Sequence, residues 1–269
     1  MIIESILVMS GLGLGFGVFL AFASKKYAVK SDPRITQVLS VLPGNNCGAC
    51  GYPGCAGYAE AVCKDENVAT DLCSPGGQEV ADNVSKVVCR ECDSVKEQRV
   101  AKLHCAGGIA EAKTKYNYKG VKTCKSAAML AKGPKACSYG CIGFGDCAKV
   151  CNFNALHMGP LGLPLLTKEN CVACNACVKE CPKNLFSLVP KKSKVHVLCS
   201  SNDKAADVIK SCKVGCISCK RCEMICPVEG KAIHVNDNLA KIDYSKCISC
   251  GKCVEVCPRK IIINEKKKN

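Results

Sequence analysis

Cysteine spacing constrains the fold of this 269-residue chain more than any other feature. The chain contains 27 cysteines, and three runs follow the pattern C-x2-C-x2-C-x3-C-P, beginning at Cys171, Cys216 and Cys247. In bacterial two-cluster ferredoxins, three cysteines of such a run bind one [4Fe-4S] cluster and the fourth binds the neighbouring cluster. The three runs therefore predict iron–sulfur clusters in series and a protein that transfers electrons.

Disulfides and zinc are the two alternatives for so many cysteines. A disulfide needs facing side chains at a suitable separation, which neighbours in a tight triplet rarely provide. Zinc sites usually combine two C-x2-C pairs, whereas three cysteines with a remote Cys-Pro are typical of a cubane cluster. The spacing therefore favours iron–sulfur clusters. Because clusters replace much of the apolar core in small ferredoxin folds, we expect the apoprotein not to fold.

The formal net charge of +15 counts every cysteine as neutral. Ligating cysteines are thiolates, and about 24 of them around six oxidised cores would lower the net charge to about +3. The lysines, which lack interleaved aromatic residues, therefore do not predict nucleic-acid binding. They favour docking of an acidic redox partner or proximity to anionic lipid head groups.

The amino-terminal segment, residues 6–23, contains no charged side chain, and flanking serines extend it to residues 5–24. This length is typical of one membrane-spanning helix. Basic residues follow the segment, so the positive-inside rule places the rest of the chain in the cytoplasm. A cleavable signal peptide is the alternative, but its basic n-region is missing. The sequence thus predicts an uncleaved single-pass anchor, with Gly11/Gly15 and Gly13/Gly17 forming a face for another helix.

A separate set of cysteines lies nearer to the amino terminus. The string CGACGYPGC is followed by a predicted helix over residues 56–64 and by the string CSPGG. Glycines allow the backbone to wrap a cluster and direct N–H groups at its sulfurs. Cys63, inside the predicted helix, is interpreted as a small buried apolar residue. These strings, behind one predicted membrane helix and ahead of ferredoxin repeats, resemble the B subunit of Rnf complexes over essentially the whole chain.

Rnf complexes are membrane-bound, ion-translocating ferredoxin:NAD oxidoreductases. The resemblance implies a subunit that relays electrons between soluble ferredoxin and the other subunits, while sodium or protons move elsewhere in the complex. It implies a location at the prokaryotic cell (inner) membrane. It also implies that one [4Fe-4S] cluster is bound by Cys47, Cys50, Cys55 and Cys73.

The carboxy-terminal half is an internal duplication with an offset of about 75 residues. Residues 137–151 align with residues 212–226, and each copy predicts one two-cluster ferredoxin module. Phe144 stands where the second module has Cys219, so the first module needs a ligand from elsewhere. Cys137 is the predicted donor.

Each module is predicted to exchange the fourth ligands of its two clusters. In the first module, one cluster is assigned to Cys137, Cys141, Cys147 and Cys181, and the other to Cys151, Cys171, Cys174 and Cys177. In the second module, one cluster is assigned to Cys216, Cys219, Cys222 and Cys257, and the other to Cys226, Cys247, Cys250 and Cys253.

Four further cysteines complete the predicted set of six clusters. The order Cys-x-Gly, Tyr-x-Tyr-x-Gly and Cys over residues 105–124 is part of the resemblance to the Rnf family. A sixth cluster is assigned to Cys105, Cys124, Cys199 and Cys212. Cys89 and Cys92 form a C-x2-C pair and are the alternative contributors, unless they bind no metal.

The predicted fold class is α+β: a single transmembrane helix, a small [4Fe-4S] domain, and two tandem bacterial-type two-cluster ferredoxin modules. Residues 232–235 and 239–242 predict a hairpin in the second module. The predicted domains are an anchor at 1–27, a single-cluster domain at 28–82, a ligand-contributing connector at 83–134, ferredoxin modules at 135–190 and 191–265, and a basic tail at 266–269.

The sequence predicts no catalytic acid–base residues and no flavin or nicotinamide site. His234 falls in a hairpin pattern, and Tyr116 and Tyr118 are interpreted as packing residues. Hydride chemistry is therefore assigned to a partner protein, and this chain to electron relay. The alternatives are a polyferredoxin component of another membrane redox complex, such as a hydrogenase, and a zinc-stabilised scaffold.

Overall fold

The computed structural model describes residues 2–26, 32–90 and 97–265, with side chains from residue 9 onward. Cys92 and the predicted basic tail lie outside the described residues.

Helix α1 extends over Ile2–Lys26 and does not support the predicted anchor. Within the described ranges, no helix combines the length and the apolar character needed to cross a membrane. The side chains described in α1 extend from residue 9 to residue 26, a stretch that includes the basic pair Lys25 and Lys26. The predictions of a transmembrane helix and of single-pass topology are therefore wrong, and that part of the predicted fold class is corrected.

Three helices form the small domain that follows: α2 at Pro33–Val41, α3 at Gly54–Lys64 and α4 at Gly77–Val88. Asp32 caps α2 by accepting a hydrogen bond from the Arg34 N–H, and Pro33 occupies the first turn, where its missing N–H costs nothing. The apolar faces of the helices meet in one core that contains Val38, Tyr58 and Val84. The predicted helix over residues 56–64 is confirmed by α3.

The duplicated half contains two modules with the same topology. The first module contains β1 Arg99–Leu103, α5 Cys124–Met129, α6 Asp146–Lys149, β2 Leu156–Met158, β3 Pro164–Leu166, α7 Ala176–Glu180 and β4 Phe186–Pro190. The second contains β5 Val195–Val197, α8 Ala205–Ser211, α9 Arg221–Met224, β6 Ile233–Asn236, β7 Leu239–Ile242, α10 Lys252–Glu255 and β8 Ile262–Asn264.

Each module pairs its outer strands and closes an inner hairpin, all antiparallel. Strand β1 pairs with β4 and β2 with β3 in the first module, while β5 pairs with β8 and β6 with β7 in the second. The predicted hairpin of the second module is confirmed. Its turn places Asp237 and Asn238 at φ values of 49° and 61°, the left-handed conformation of a tight hairpin turn.

A polar network joins the two modules. Glu265, which follows β8, accepts a hydrogen bond of 2.5 Å from Lys102 of β1 and another from Lys168. His196 of β5 is fully buried, with Nε2 3.6 Å from the Glu265 carboxylate and Nδ1 3.0 Å from the Tyr244 hydroxyl. Burial alone would raise the pKa of Glu265, but its contacts with His196, Lys102 and Lys168 outweigh burial and lower it. One partly buried carboxylate therefore ties the end of the second module to the first.

Candidate metal centres

The described structure gathers most of the cysteines into six groups, numbered by their order in space. Group 1 is Cys47, Cys50, Cys55 and Cys73; group 2 is Cys151, Cys171, Cys174 and Cys177; group 3 is Cys124, Cys141, Cys147 and Cys181. Group 4 is Cys105, Cys137, Cys199 and Cys212. In the second module, group 5 contains Cys216, Cys219 and Cys222, and group 6 contains Cys226, Cys247, Cys250 and Cys253. Cys257, predicted for group 5, packs against the core that both groups share.

Group 1 comes from the loop before α3, the first turn of α3 and the segment just before α4. Gly54 has a φ of +84°, and an added Cβ would lie 2.9 Å from the Asn46 Oδ1, which already accepts the Cys55 N–H at 2.8 Å. A glycine is therefore required where the loop turns into α3. Burial raises the pKa of the Cys73 thiol, and the negative charges of Cys55, Cys47 and Cys50 raise it further. The four cysteines expected to share a cluster therefore lie together.

Groups 2 and 3 line two pockets in the first module. Burial raises the pKa of Cys177 in group 2 and of Cys147 in group 3, each to about 12. These thiols are protonated without a metal, so binding a cationic core must displace their protons. Group 2 brings together the four cysteines that the sequence assigned to one cluster.

Group 3 differs from its predicted composition. Cys124, assigned from sequence to the long-range cluster, lines the same cavity as Cys141, Cys147 and Cys181. Cys137, predicted for this place, lies in the cavity of group 4. Although Cys137 is close to Cys141 in sequence, Cys124 takes the fourth position of this group. Helix α5 brings Cys124 to Asp146, whose Oδ2 accepts the Cys124 N–H at 2.6 Å.

Phe144 of the first module occupies the position equivalent to Cys219 of the second, and aromatic packing accommodates it there. The ring of Phe144 packs against Tyr118, with centroids 5.8 Å apart. Tyr116 donates a hydrogen bond from its hydroxyl to the Leu130 carbonyl. Both tyrosines thus hold the segment that leads into α5, as a packing role predicts. Asp146, which sequence analysis missed, lies beside a ligand position and directly precedes Cys147, but an isolated aspartate offers no signal in sequence.

Groups 5 and 6 share one core with the β6–β7 hairpin. Cys219 and Cys250 are exposed, whereas Cys216 and Cys222 are buried. Cys226 has a lowered pKa: burial would raise it, but backbone N–H groups, including that of Ala232 at 3.3 Å from the sulfur, outweigh burial. Such N–H donors stabilise a thiolate and raise the reduction potential of a bound cluster.

Adjacent groups lie close enough to influence one another electrostatically. The charge of Cys47 acts on Cys174, joining group 1 to group 2, and Cys147 acts on Cys177, joining group 2 to group 3. In the second module, the charge of Cys253 acts on Cys222.

Two backbone hydrogen bonds continue the series through group 4. The Cys141 N–H donates to Cys105 at 3.5 Å, and the Cys216 N–H donates to Cys199 at 3.4 Å. The six groups therefore form one linear series.

The chemistry of the donor set bears on which metal group the cysteines could hold. Among the residues the structure describes, no three His, Cys, Asp or Glu side chains are arranged to hold a single metal ion. The four thiols of each of groups 2, 3 and 4 line one shared pocket. Four thiols around one pocket fit a cubane cluster, with thiolates as the natural ligands of iron.

Two described cysteines of the small domain lie outside the groups. Cys63 packs partly buried against the core of the small domain, as interpreted from sequence, and burial raises its pKa. Cys89 is exposed at the carboxy-terminal end of α4 and takes a φ of 54°. The structure therefore does not bring Cys89 to any group. His234 contacts Glu223 and the Lys231 carbonyl rather than a cysteine.

Comparisons with known proteins identify iron–sulfur families over two parts of the chain. An Fe-S cluster family matches residues 42–75, and a 4Fe-4S dicluster domain family matches residues 215–262. The chain is 44% identical over 245 residues to the B subunit of the ion-translocating oxidoreductase complex of Methanosarcina acetivorans, covering 91% of each chain. It is 42% identical over 244 residues to the B subunit of the proton-translocating ferredoxin:NAD(+) oxidoreductase complex of Clostridium ljungdahlii, covering 91% of this chain and 85% of the relative.

A third relative is named as part of a sodium-translocating complex. The B subunit of the Na(+)-translocating ferredoxin:NAD(+) oxidoreductase complex of Acetobacterium woodii is 39% identical over 248 residues, which cover 91% of this chain and 73% of the relative. Identity of this degree over nearly the whole chain, together with the matched iron–sulfur domains, establishes the relationship. The chain belongs to the family of Rnf-complex B subunits, the iron–sulfur electron-transfer subunits of ion-translocating oxidoreductases.

Proposed function

We propose that this chain relays single electrons between soluble ferredoxin and the other subunits of a ferredoxin:NAD oxidoreductase complex. Six [4Fe-4S] clusters, one in each cysteine group, would supply reversible one-electron redox chemistry. The hydride step at NAD then belongs to another subunit. The observation that carries this proposal is the unbroken series of groups, each of which lies in electrostatic or hydrogen-bonding reach of the next.

The protein's own residues contribute thiolates, burial and backbone donors. Ala101 donates its N–H to Cys171 at 3.4 Å, as Ala232 does to Cys226. Because such hydrogen bonds favour the more negative state of a cluster, their number tunes the potential at each step. Buried thiols also keep water away from the metal sulfur core.

Ferredoxin is proposed to dock on the outer face of the second module. Cys219 and Cys250 are exposed there, so a bound donor can approach groups 5 and 6 closely. Lys220 and Lys252 lie exposed beside them, and Met224 is 68% exposed in a groove nearby. An acidic ferredoxin would meet complementary charge around an apolar contact, a combination that speeds encounter and allows quick release.

The relatives' names include ion translocation, and translocation is defined across a membrane. We therefore place this chain at a membrane-bound complex, held there by its contacts with the other subunits.

The experiment is anaerobic isolation of the full chain with measurement of iron, zinc and acid-labile sulfide. We expect about 24 irons and as many sulfides per chain, with visible absorbance that reduced ferredoxin bleaches. Stoichiometric zinc without sulfide, or a cluster-loaded chain that reduced ferredoxin leaves oxidised, would contradict the proposal.

A further inference from the structure

A turn at the surface of the first module, residues 129–133, exposes two neighbouring apolar side chains. Met129, the last residue of α5, is 89% exposed, and Leu130, which follows it, is 56% exposed. Neither residue takes part in a cysteine group. Single exposed apolar residues are ordinary on protein surfaces, so the pair alone indicates no function. The backbone beneath the pair and the charges around it set this turn apart.

The backbone of the 129–133 turn is strained. Ala131 and Lys132 have φ values of 47° and 58°, and Gly133 follows at 95°. The left-handed conformation is unfavourable for a residue that has a Cβ. Two such residues in succession persist only where the surrounding structure holds them, and strain of this kind is concentrated at functional surfaces.

Side chains from outside the turn supply that support. Three consecutive carbonyls each accept one hydrogen bond: that of Leu130 from the Tyr116 hydroxyl at 2.6 Å, that of Ala131 from the Lys115 ammonium at 2.9 Å, and that of Lys132 from the Lys183 ammonium at 2.6 Å. The Leu130 carbonyl also accepts the Gly133 N–H at 2.8 Å. The turn is therefore held in one conformation before it meets a partner, so a contact through its tip loses little conformational entropy.

The same contacts concentrate positive charge around the apolar pair. The ammonium groups of Lys115 and Lys183 lie on consecutive carbonyls, and the exposed side chain of Lys132 belongs to the turn itself. The surrounding sequence is equally one-sided, because residues 109–135 contain seven lysines, one acidic residue and no arginine. Six of these seven lysines are exposed. The surface around the turn therefore attracts a negatively charged partner.

The composition of this surface favours lipid head groups over an acidic protein. Protein interfaces are enriched in arginine and depleted in lysine, and the planar guanidinium pairs with a carboxylate through two hydrogen bonds. Lysine is a compact charge on a flexible stem, and clusters of about four to eight basic residues bind the diffuse charge of anionic lipids. Apolar side chains with a lysine-rich surround are also typical of surfaces that lie at the boundary between head groups and acyl chains.

We propose that the 129–133 turn is a lipid-contact site, in which Met129 and Leu130 enter the head-group boundary of an anionic membrane and the surrounding lysines bind lipid phosphates. The ligand is a phosphodiester head group with one negative charge, as in phosphatidylglycerol. The inference rests on the proposed placement of this chain at a membrane-bound complex and deepens it, because it names the surface that meets the bilayer. This contact adds to those with the other subunits.

A fluorescent reporter tests the site directly. The chain contains no tryptophan, so one introduced residue reports on one place. Met129→Trp puts the reporter in the turn, and Ile209→Trp, at a 54% exposed position on α8, is the matched control. Each full-length, cluster-loaded protein is mixed anaerobically with vesicles of phosphatidylcholine alone or of equal parts phosphatidylcholine and phosphatidylglycerol. The ratio of emission with and without bromine on the acyl chains removes the constant loss of emission to the clusters.

We expect brominated anionic vesicles to quench Met129→Trp strongly and to shift its emission to the blue. Neutral vesicles should do so only weakly, and Ile209→Trp should respond little to either. Helix α1 is the same in both proteins, so vesicle binding through its exposed apolar side chains cancels in the comparison. Equal quenching of the two variants, or equal quenching of Met129→Trp by neutral and anionic vesicles, would overturn the proposal.

A charge reversal tests the lysines without removing the side chains that hold the turn. One unit of charge near an anionic surface changes binding about fivefold, so Lys132→Glu in the Met129→Trp background should raise the lipid concentration at half-quenching roughly twentyfold. Lys210→Glu, exposed on α8, is the control in the same background and should leave that concentration nearly unchanged. An equal shift in both would show that only net charge matters and would overturn the site.

Iron analysis checks that each variant is folded and loaded; if Met129→Trp loses iron, Leu130→Trp carries the reporter instead. Inorganic phosphate alone, at the concentration of the lipid phosphate, should leave the emission unchanged. A shift with free phosphate, or a shift only when the other subunits are added, would assign the turn to another partner and overturn the lipid site. Bleaching by reduced ferredoxin needs no vesicles, so its failure would refute the proposed relay and leave the lipid site standing.

Discussion

The two ferredoxin modules share a topology but differ in where their ligands come from. The second module supplies the cysteines of groups 5 and 6 from its own two runs. The first has Phe144 in place of one ligand and takes Cys124 from helix α5 instead. A ligand can therefore move to another segment of the chain when a neighbouring carboxylate, here Asp146, fixes the new backbone position.

The modules also differ in how exposed their equivalent cysteines are. Cys250 of the second module is exposed, whereas the equivalent Cys174 of the first lies half-buried and within reach of Cys47 in the small domain. The first module is thus an interior part of the series and the second is its solvent-facing end. This difference predicts that the second module meets the soluble partner.

The largest expected effect comes from removing the imported ligand. Cys124→Ala should cost about four irons per chain, as Cys219→Ala should in the second module. Adding Phe144→Cys to Cys124→Ala should restore the iron, because it recreates the ligand pattern of the second module. Iron and sulfide analysis measures this; a Cys124→Ala chain with its full iron content would contradict the composition of group 3.

The tie between the modules should give the next largest effect. Glu265→Gln should lower the free energy of unfolding by roughly 2–3 kcal/mol, because it weakens charged hydrogen bonds with Lys102 and Lys168. The folded-state pKa of Glu265 lies below the ordinary value of 4.5. The Glu265 carboxylate therefore contributes its full stabilisation of the folded chain above that pH, and the contribution is lost as the pH falls below it.

Guanidinium denaturation at about pH 7 and about pH 4 measures this contribution. The difference between the unchanged chain and Glu265→Gln should shrink at the lower pH. Glu60→Gln, which breaks an exposed pair with Lys64, is the matched control and should change stability far less, because solvent screens exposed ion pairs. An equal effect of the two substitutions would contradict the role of Glu265.

A smaller effect is expected at the carboxylate that holds the imported ligand. Asp146 is 6% exposed, and Asp146→Asn should destabilise the chain by about 1–2 kcal/mol by weakening its bond to the Cys124 N–H. Iron should also leave one cluster faster when a chelator is added. Asp207→Asn, at an exposed position in α8, should leave both stability and chelation rate nearly unchanged. Identical chelation rates in both variants would show that Asp146 does not support group 3.

The smallest expected effect concerns docking. Lys220→Glu/Lys252→Glu should slow electron uptake from reduced ferredoxin about threefold to tenfold, and the effect should weaken as salt is added. The matched control is Lys122→Glu/Lys179→Glu, exposed on the first module. Stopped-flow rates at several salt concentrations measure both. A larger loss in the control would place the docking face on the first module.

Much of the site could be predicted because cluster ligands follow local spacing. The runs that begin at Cys171, Cys216 and Cys247 fix their own triplets, since three cysteines two residues apart can reach one cluster only from a tight loop. The hairpin of the second module was equally local, with its turn at Asp237 and Asn238. The membrane-spanning helix predicted at the amino terminus is not found among the residues that the structure describes.

The sequence by itself determined that this chain carries iron–sulfur clusters, that its second half is duplicated, and that one ligand of the first module is missing. Only the tertiary structure decided that Cys124 fills that place and that Cys137 faces the other module. Cys137 is close to Cys141 along the chain, but proximity in sequence does not set where a side chain points. That is set by α5 packing against Asp146 and by strand ends that meet across the module boundary, contacts between residues that lie far apart in the chain.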